Sequence, residues 1–149
     1  MRRLLREIDI PPLWLAIAAA AIWGVARVWP VMLPGARPVG GALIALGLLL
    51  TAVAGGQMLW RRTSPIPRRV PRVMLDSGAF ALSRNPIYLS DAIMLTGWML
   101  WSGGIWGAPV VALFMLWITR RYILPEEAEI ARRFGPAFDT YRAKVRRWL

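Results

Sequence analysis

Apolar residues gather in four long stretches along the chain, and polar residues collect between them. Leu13 to Leu33 reads LWLAIAAAAIWGVARVWPVML, and Val39 to Trp60 reads VGGALIALGLLLTAVAGGQMLW. A third stretch, Ile87 to Trp101, joins a fourth, Ile105 to Leu124, through Ser102-Gly103-Gly104. A helix of about 20 apolar residues crosses a hydrocarbon core, so each of the first two is long enough. The third is short, which suits a tilted helix or one that ends inside the protein. Nothing alternates with the two-residue period of a barrel strand, and in lipid only helices or closed barrels satisfy the backbone. The pattern predicts an all-α integral membrane protein with about four transmembrane helices, forming a single domain over residues 1–149. Its first two spans lie in 1–60, and the remainder occupies 61–149.

Composition agrees with that reading. Hydrophobic residues make up 57% of the chain, and the mean hydropathy is +0.46, too apolar for an ordinary soluble domain. The basic start, Met1-Arg2-Arg3 with Arg6, resembles the opening of a signal peptide. However, the apolar run is too long, and Arg27-Val28-Trp29-Pro30 is no small-residue cleavage site, so this segment is expected to be retained.

The net charge of +11 raises nucleic acid as a partner, but its distribution argues for a membrane instead. Basic residues cluster at Arg2, Arg3 and Arg6, then from Arg61 to Arg72. They return at Arg120 and Arg121 and again from Arg132 to Arg147. Only Arg37 stands between the first two spans, and no charge separates the third from the fourth. The positive-inside rule then places both termini and the middle loop in the cytoplasm, with the bilayer as partner and no nucleic acid. Attraction to anionic lipid or an anionic substrate can add to this.

The chain has no cysteine and no histidine. Disulfides, thiolate nucleophiles and the usual zinc sites are excluded, and with them the commonest general base near neutral pH. No metal is expected.

Proline and glycine mark out the connections. Met1 to Ile10 reads as a short amphipathic lead-in ended by Pro11-Pro12, and Pro34 to Pro38 as a tight outer turn. Gly40-Gly41, Gly47 and Gly55-Gly56 give the second span a small-residue face suited to close helix packing. Arg61 to Val73, with Pro65, Pro67 and Pro71, is predicted to run extended along the surface. Asp76-Ser77-Gly78 makes a turn, and Pro86 suits the first turn of the third span. Pro125 is predicted to open a separate helix from Glu126 to Phe134, capped by Gly135. Pro136 opens an amphipathic last helix to about Arg147.

Two polar clusters are then candidates for chemistry. One runs from Gly78 through Tyr88, and the other is Arg120-Arg121-Tyr122 with Glu126-Glu127. A hairpin of the third and fourth spans makes them neighbours despite about forty intervening residues. Taken singly, the arginines and tyrosines read as interfacial anchors and the glutamates as helix caps. Taken together, helix starts at Pro86 and Pro125 offer an anion site. Glu126 or Glu127 can pair with a ligand ammonium, and Arg84 can clamp a carboxylate by two parallel hydrogen bonds.

The run from Ser77 to Leu89 (SGAFALSRNPIYL), followed by Glu126-Glu127, Phe134-Gly135 and Tyr141, resembles the isoprenylcysteine carboxyl methyltransferase and phospholipid methyltransferase group. Thr63-Ser64-Pro65 and the terminal Val145 to Leu149 are similar to its bacterial members. The resemblance covers residues 60 to 149 and implies an integral membrane enzyme using S-adenosylmethionine, with S-adenosylhomocysteine as product. By position it implies that Gly78, Phe80, Arg84, Asn85, Pro86, Tyr88, Glu126 and Glu127 surround the cofactor, the Glu pair holding its amino group. The final helices would close over the adenosine, and Arg121 would position the acceptor. The chain departs from the pattern at Asn85, where eukaryotic members carry histidine, and at Ser90-Asp91, where many have glycine.

Methyl transfer from a sulfonium is an in-line displacement at carbon, and a carboxylate acceptor needs no base. Alignment is the main task and can contribute roughly 7–11 kcal/mol. The sequence therefore reads as a bacterial inner-membrane methyltransferase acting on a lipophilic small molecule that enters laterally between helices, by O-methylation of a carboxylate. The rivals are phospholipid or amine N-methylation, and a non-catalytic membrane subunit or small transporter.

Overall fold

The structure, a computed structural model, describes residues 10–63 and 73–149. The expected amphipathic lead-in, Met1 to Ile10, falls almost wholly outside these ranges, as does most of the proline-rich loop. Every regular element among the described residues is helical. α1 is Pro11–Val28, α2 Ala36–Trp60, α3 Ala79–Leu82 and α4 Pro86–Ser102. A single 3-10 turn, Ile105–Gly107, leads into α5, Ala108–Ile118. A π-helical segment, Thr119–Ile123, then joins α5 to α6, Leu124–Phe134, and α7 is Pro136–Lys144.

The prolines act largely where the missing N–H has no helical partner to lose. Pro11-Pro12 starts α1, Pro86 starts α4 and Pro136 starts α7. The outer turn before α2 is shorter than its prolines suggested. Gly35 makes it in the left-handed region and the helix begins at Ala36. Pro38 thus sits inside the first turn, where its ring costs no intrahelical bond.

Among the described residues three stretches are long and apolar enough to cross a membrane: Pro11–Val28, Ala36–Trp60 and the continuous helical run Ile105–Phe134. α4, with 17 residues, is about 25 Å long and falls short of the roughly 30 Å core. Three spans are therefore supported, and the fourth is not confirmed. α4 is instead the central element: Tyr88, Leu89, Ser90, Asp91, Ala92, Leu95 and Met99 are all buried. α2 buries only Gly40, Gly47 and Ala54. Large apolar side chains such as Leu46, Leu48, Leu49, Leu113 and Trp117 point outward, as suits a surface whose solvent is lipid.

Glycine sets how closely α2 and α4 approach. A Cβ built on Gly40 would lie 2.6 Å from the Gly97 carbonyl oxygen, and Gly47 packs against Met94 and the Ser90 carbonyl. A Cβ at Gly55 or Gly56 would meet nothing within 4 Å, so the close glycine contacts are confined to the N-terminal half of α2. Thr51 and Ser90 join hydroxyls across this interface at 2.6 Å. On the other side of α4, the Trp98 indole donates to the Ala19 carbonyl of α1 at 3.0 Å. Tyr88, Leu95 and Met99 share a core with Ala18, Ile22, Phe114, Ile118 and Tyr122.

Pro125 does not open a separate helix. The helix runs through it, because the preceding turn has widened. The Leu124 N–H bonds to Thr119 O, five residues back, and a π turn absorbs one extra residue just where Pro125 brings no donor. One inserted residue rotates everything after it by about 100°. That rotation is part of what sets the direction in which Glu126 and Glu127 point.

Candidate functional site

The site is built on the N-terminal end of α4. The chain leaves α2 and returns at Asp76, and the turn needs Gly78, whose φ is +59°, a value that favours glycine. The side chain of Gln57, near the end of α2, fixes this turn. Its Nε2 donates to Ser77 O at 2.7 Å, and its Oε1 accepts from Ala79 N at 3.3 Å. α3 follows at once. The Phe80 carbonyl accepts a 2.6 Å hydrogen bond from the Tyr141 hydroxyl of α7, pinning the last helix to the start of the motif. Burial pushes that hydroxyl up to about 12, against the opposing pull of Arg84.

Ser83 to Tyr88 is then laced to the C-terminal tail. The fully buried Ser83 donates from Oγ to Arg147 O at 2.8 Å and accepts from Asn85 N at 3.1 Å. Arg84 N donates to Arg146 O at 3.0 Å, and Asn85 Nδ2 reaches Arg147 O at 3.4 Å. Short polar residues at a helix mouth make such local bonds readily. Here they tie down the C-terminal tail instead of capping the helix.

Two arginines converge on Glu127. Arg84 donates from Nε at 3.2 Å and lies 3.1 Å from the same oxygen through Nη2, while its Nη1 donates to Arg142 O at 3.1 Å. Arg147 forms a two-pronged pair, Nε to Oε1 at 3.1 Å and Nη2 to Oε2 at 2.7 Å. This fork-to-carboxylate geometry is the strong form of the interaction, and Glu127 raises the Arg147 guanidinium above its ordinary value. One turn deeper, the Tyr88 hydroxyl donates to Glu126 Oε1 at 3.0 Å. The Tyr88 ring lies 6.4 Å from that of Tyr122. The hairpin thus brings Arg84 and Tyr88 against glutamates 43 and 38 residues away.

Seven of the sequence candidates meet here: Gly78, Phe80, Arg84, Asn85, Pro86, Tyr88 and Glu127, with Glu126 adjoining through Tyr88. The pairing of two helix starts does not occur, because Pro125 lies within a continuous helix. Arg121 is exposed, and with Arg120 it ends an apolar groove of about 480 Å³ between α1 and α5. Trp14, Ile17, Phe114 and Trp117 line this groove, and the rings of Trp14 and Trp117 lie 4.8 Å apart.

Gln57, Arg147 and Asp91 carry structure that motif reading passed over. Arg147 is one of several equivalent basic residues at the C-terminus, so nothing local singles it out. Asp91 had a signal, since a carboxyl inside an apolar helix is itself a functional hint. Among the described residues no group of carboxylates forms a metal cluster. Chemically the cluster can hold a small molecule carrying both an acidic and a basic end, beside an apolar groove.

The comparisons with known proteins point the same way. A curated protein of Haemophilus influenzae, described as uncharacterised, is 38% identical over 63 residues, covering 42% of this chain and 100% of that relative. No solved structure matches. The family described as "Phospholipid methyltransferase" matches residues 36–137, a range that holds α2, the Arg84–Tyr88 motif and both glutamates. With more than half of its length matched, the chain belongs to the phospholipid methyltransferase family, a family of membrane methyltransferases.

Proposed function

We propose that this protein transfers the methyl group of S-adenosylmethionine to a lipophilic acceptor at the membrane surface. The observation that carries the proposal is the convergence of Arg84 and Tyr88 of the α4 mouth on Glu127 and Glu126 of α6. The donor set fits the cofactor's amino-acid end: guanidinium groups suit its carboxylate and glutamates its ammonium. Bound there, the cofactor supplies an electrophilic methyl on a positively charged sulfur.

The residues of the chain would then bind and orient. Glu127 is already held by Arg84 and Arg147, so it is pre-aligned, and little ordering remains to oppose binding. Tyr88 fixes Glu126 and, with Tyr122, presents aromatic surface at the inner edge of the core. The groove between α1 and α5 offers the acceptor an apolar path from the bilayer, and Arg120 and Arg121 at its end suit an anionic head. This supports O-methylation of a carboxylate, a reaction for which a chain without histidine or cysteine needs no base. A second reading, N-methylation of a phospholipid amine, is favoured by the matched family's description. A bacterial inner membrane with both termini in the cytoplasm suits either reading, since the cofactor is made in the cytoplasm.

Calorimetry with S-adenosylhomocysteine and the detergent-solubilised protein tests the proposal. Wild type is expected to bind, and Arg84→Ala and Glu126→Ala each to weaken binding by about tenfold or more. No binding by folded wild type contradicts the cofactor reading and favours a non-catalytic subunit. Unchanged affinity in both variants contradicts the site.

A further inference from the structure

Asp91 is a carboxyl group in the wrong solvent. It lies one turn and a half into α4, in a segment where Pro86–Ser102 carries no other charge, and only 8% of it is exposed. Glu127 holds two guanidiniums and Glu126 holds the Tyr88 hydroxyl. Asp91 makes no hydrogen bond or ion pair with a described residue, and because no fully buried side-chain oxygen is left without a partner, its carboxyl keeps a narrow access to solvent. It is also past the first turn, where the free N–H groups of the helix would favour a negative charge. Burying a carboxyl without a partner is costly, and within a membrane helix such groups face a functional cavity.

Its position says what it faces. Asp91 follows Tyr88 by three residues, which puts both on one side of α4. Tyr88 in turn holds Glu126. Arg84, Glu127 and Arg147 lie at the mouth of α4, and Asp91 lies farther along the same helix. A ligand anchored by an amino-acid end at Arg84 and the glutamates meets Tyr88 and then Asp91 as it extends inward.

We infer that Asp91 is the counter-charge for the sulfonium of the cofactor, and that it makes the site prefer the charged cofactor to its neutral product. The inference rests on the cofactor reading above and holds for either acceptor. When the methyl leaves, the S–C bond breaks and its electron pair stays on sulfur while the acceptor gains the carbon. The positive charge that Asp91 faces has then gone. The product is left beside an unpaired carboxyl in a poorly solvated place, which favours its exchange for fresh cofactor.

Three ligands separate this role from a structural one: S-adenosylmethionine, S-adenosylhomocysteine, and the stable analogue in which a protonated amine replaces the methylsulfonium. An opposite charge at close range is worth roughly one to three decades in an equilibrium. Wild type is therefore expected to bind both charged ligands at least about tenfold more tightly than S-adenosylhomocysteine. Asp91→Asn should abolish the preference by weakening the charged ligands alone, and Asp91→Glu should keep it. Equal affinity of wild type for charged and neutral ligands overturns the inference without any variant. So does an Asp91→Asn variant that retains the preference or weakens all three ligands alike. If wild type binds none of the three, the cofactor reading itself has failed, and the inference falls with it.

Discussion

At the scale of single residues, the site is held by bonds between its own parts. The Tyr141 hydroxyl illustrates how, because it ties α7 to the Phe80 carbonyl at 2.6 Å and titrates only at about 12. A pKa raised above the unfolded value of 10.0 means that the neutral form is favoured by the fold. The stability it contributes is present below pH 10 and is lost as pH rises from there through about 12. Tyr141→Phe is expected to cost about 1 kcal/mol near neutral pH and to flatten the decline between pH 10 and 12. Limited proteolysis of the C-terminal segment across pH reads both effects, and an identical pH profile in the variant would contradict this assignment. The Arg84, Tyr88 and Glu126-Glu127 group was legible in the sequence, because residue type and a hairpin sufficed to bring them together. Gln57 and Arg147 were not legible. Each acts through a tertiary approach that leaves no local mark, one from the end of α2 and one from the tail.

At the scale of elements, two features decide where the site can form. The first is the contact of α2 with α4, in which Gly40 and Gly97 bring the backbones together. Without a hydrophobic drive between helices in lipid, such close packing supplies much of the association. Gly40→Ala is expected to destabilise by about 1–3 kcal/mol through overpacking. Gly55→Ala, which meets nothing within 4 Å, is expected to be neutral or stabilising by up to about 1 kcal/mol. Thermal unfolding in detergent compares the two, and equal shifts would show that the glycine contact does not determine packing. The glycine pattern was readable in advance, but not which glycines make contact, because that depends on the partner's position. The second feature is the π turn before Pro125. Proline announced an interruption, and the sequence reading took it as a helix start. A continuous helix results instead because the widened turn accommodates the missing donor.

At the scale of the molecule, an apolar exterior encloses one short, central helix whose N-terminal end carries the polar site. The all-helical, membrane-embedded character was plain from four apolar runs and the placement of arginine. The number of full spans was not, since α4 is the shortest run and the most buried, and sequence alone does not separate a buried helix from a lipid-facing one. The proposed function would bring cofactor and acceptor from different solvents. The polar cluster and the apolar groove between α1 and α5 lie on different parts of the molecule. Transfer of labelled methyl from S-adenosylmethionine into extracted membrane lipids, with the protein reconstituted in bilayers, tests this most directly. The label is expected to enter the lipid fraction, in a base-labile ester for a carboxylate acceptor or a base-stable product for an amine. It is expected to be lost when Arg84 and Glu126 are both replaced by alanine. Label that stays in the aqueous phase with folded, cofactor-binding protein, or that enters lipid equally with the doubly substituted protein, would contradict the account.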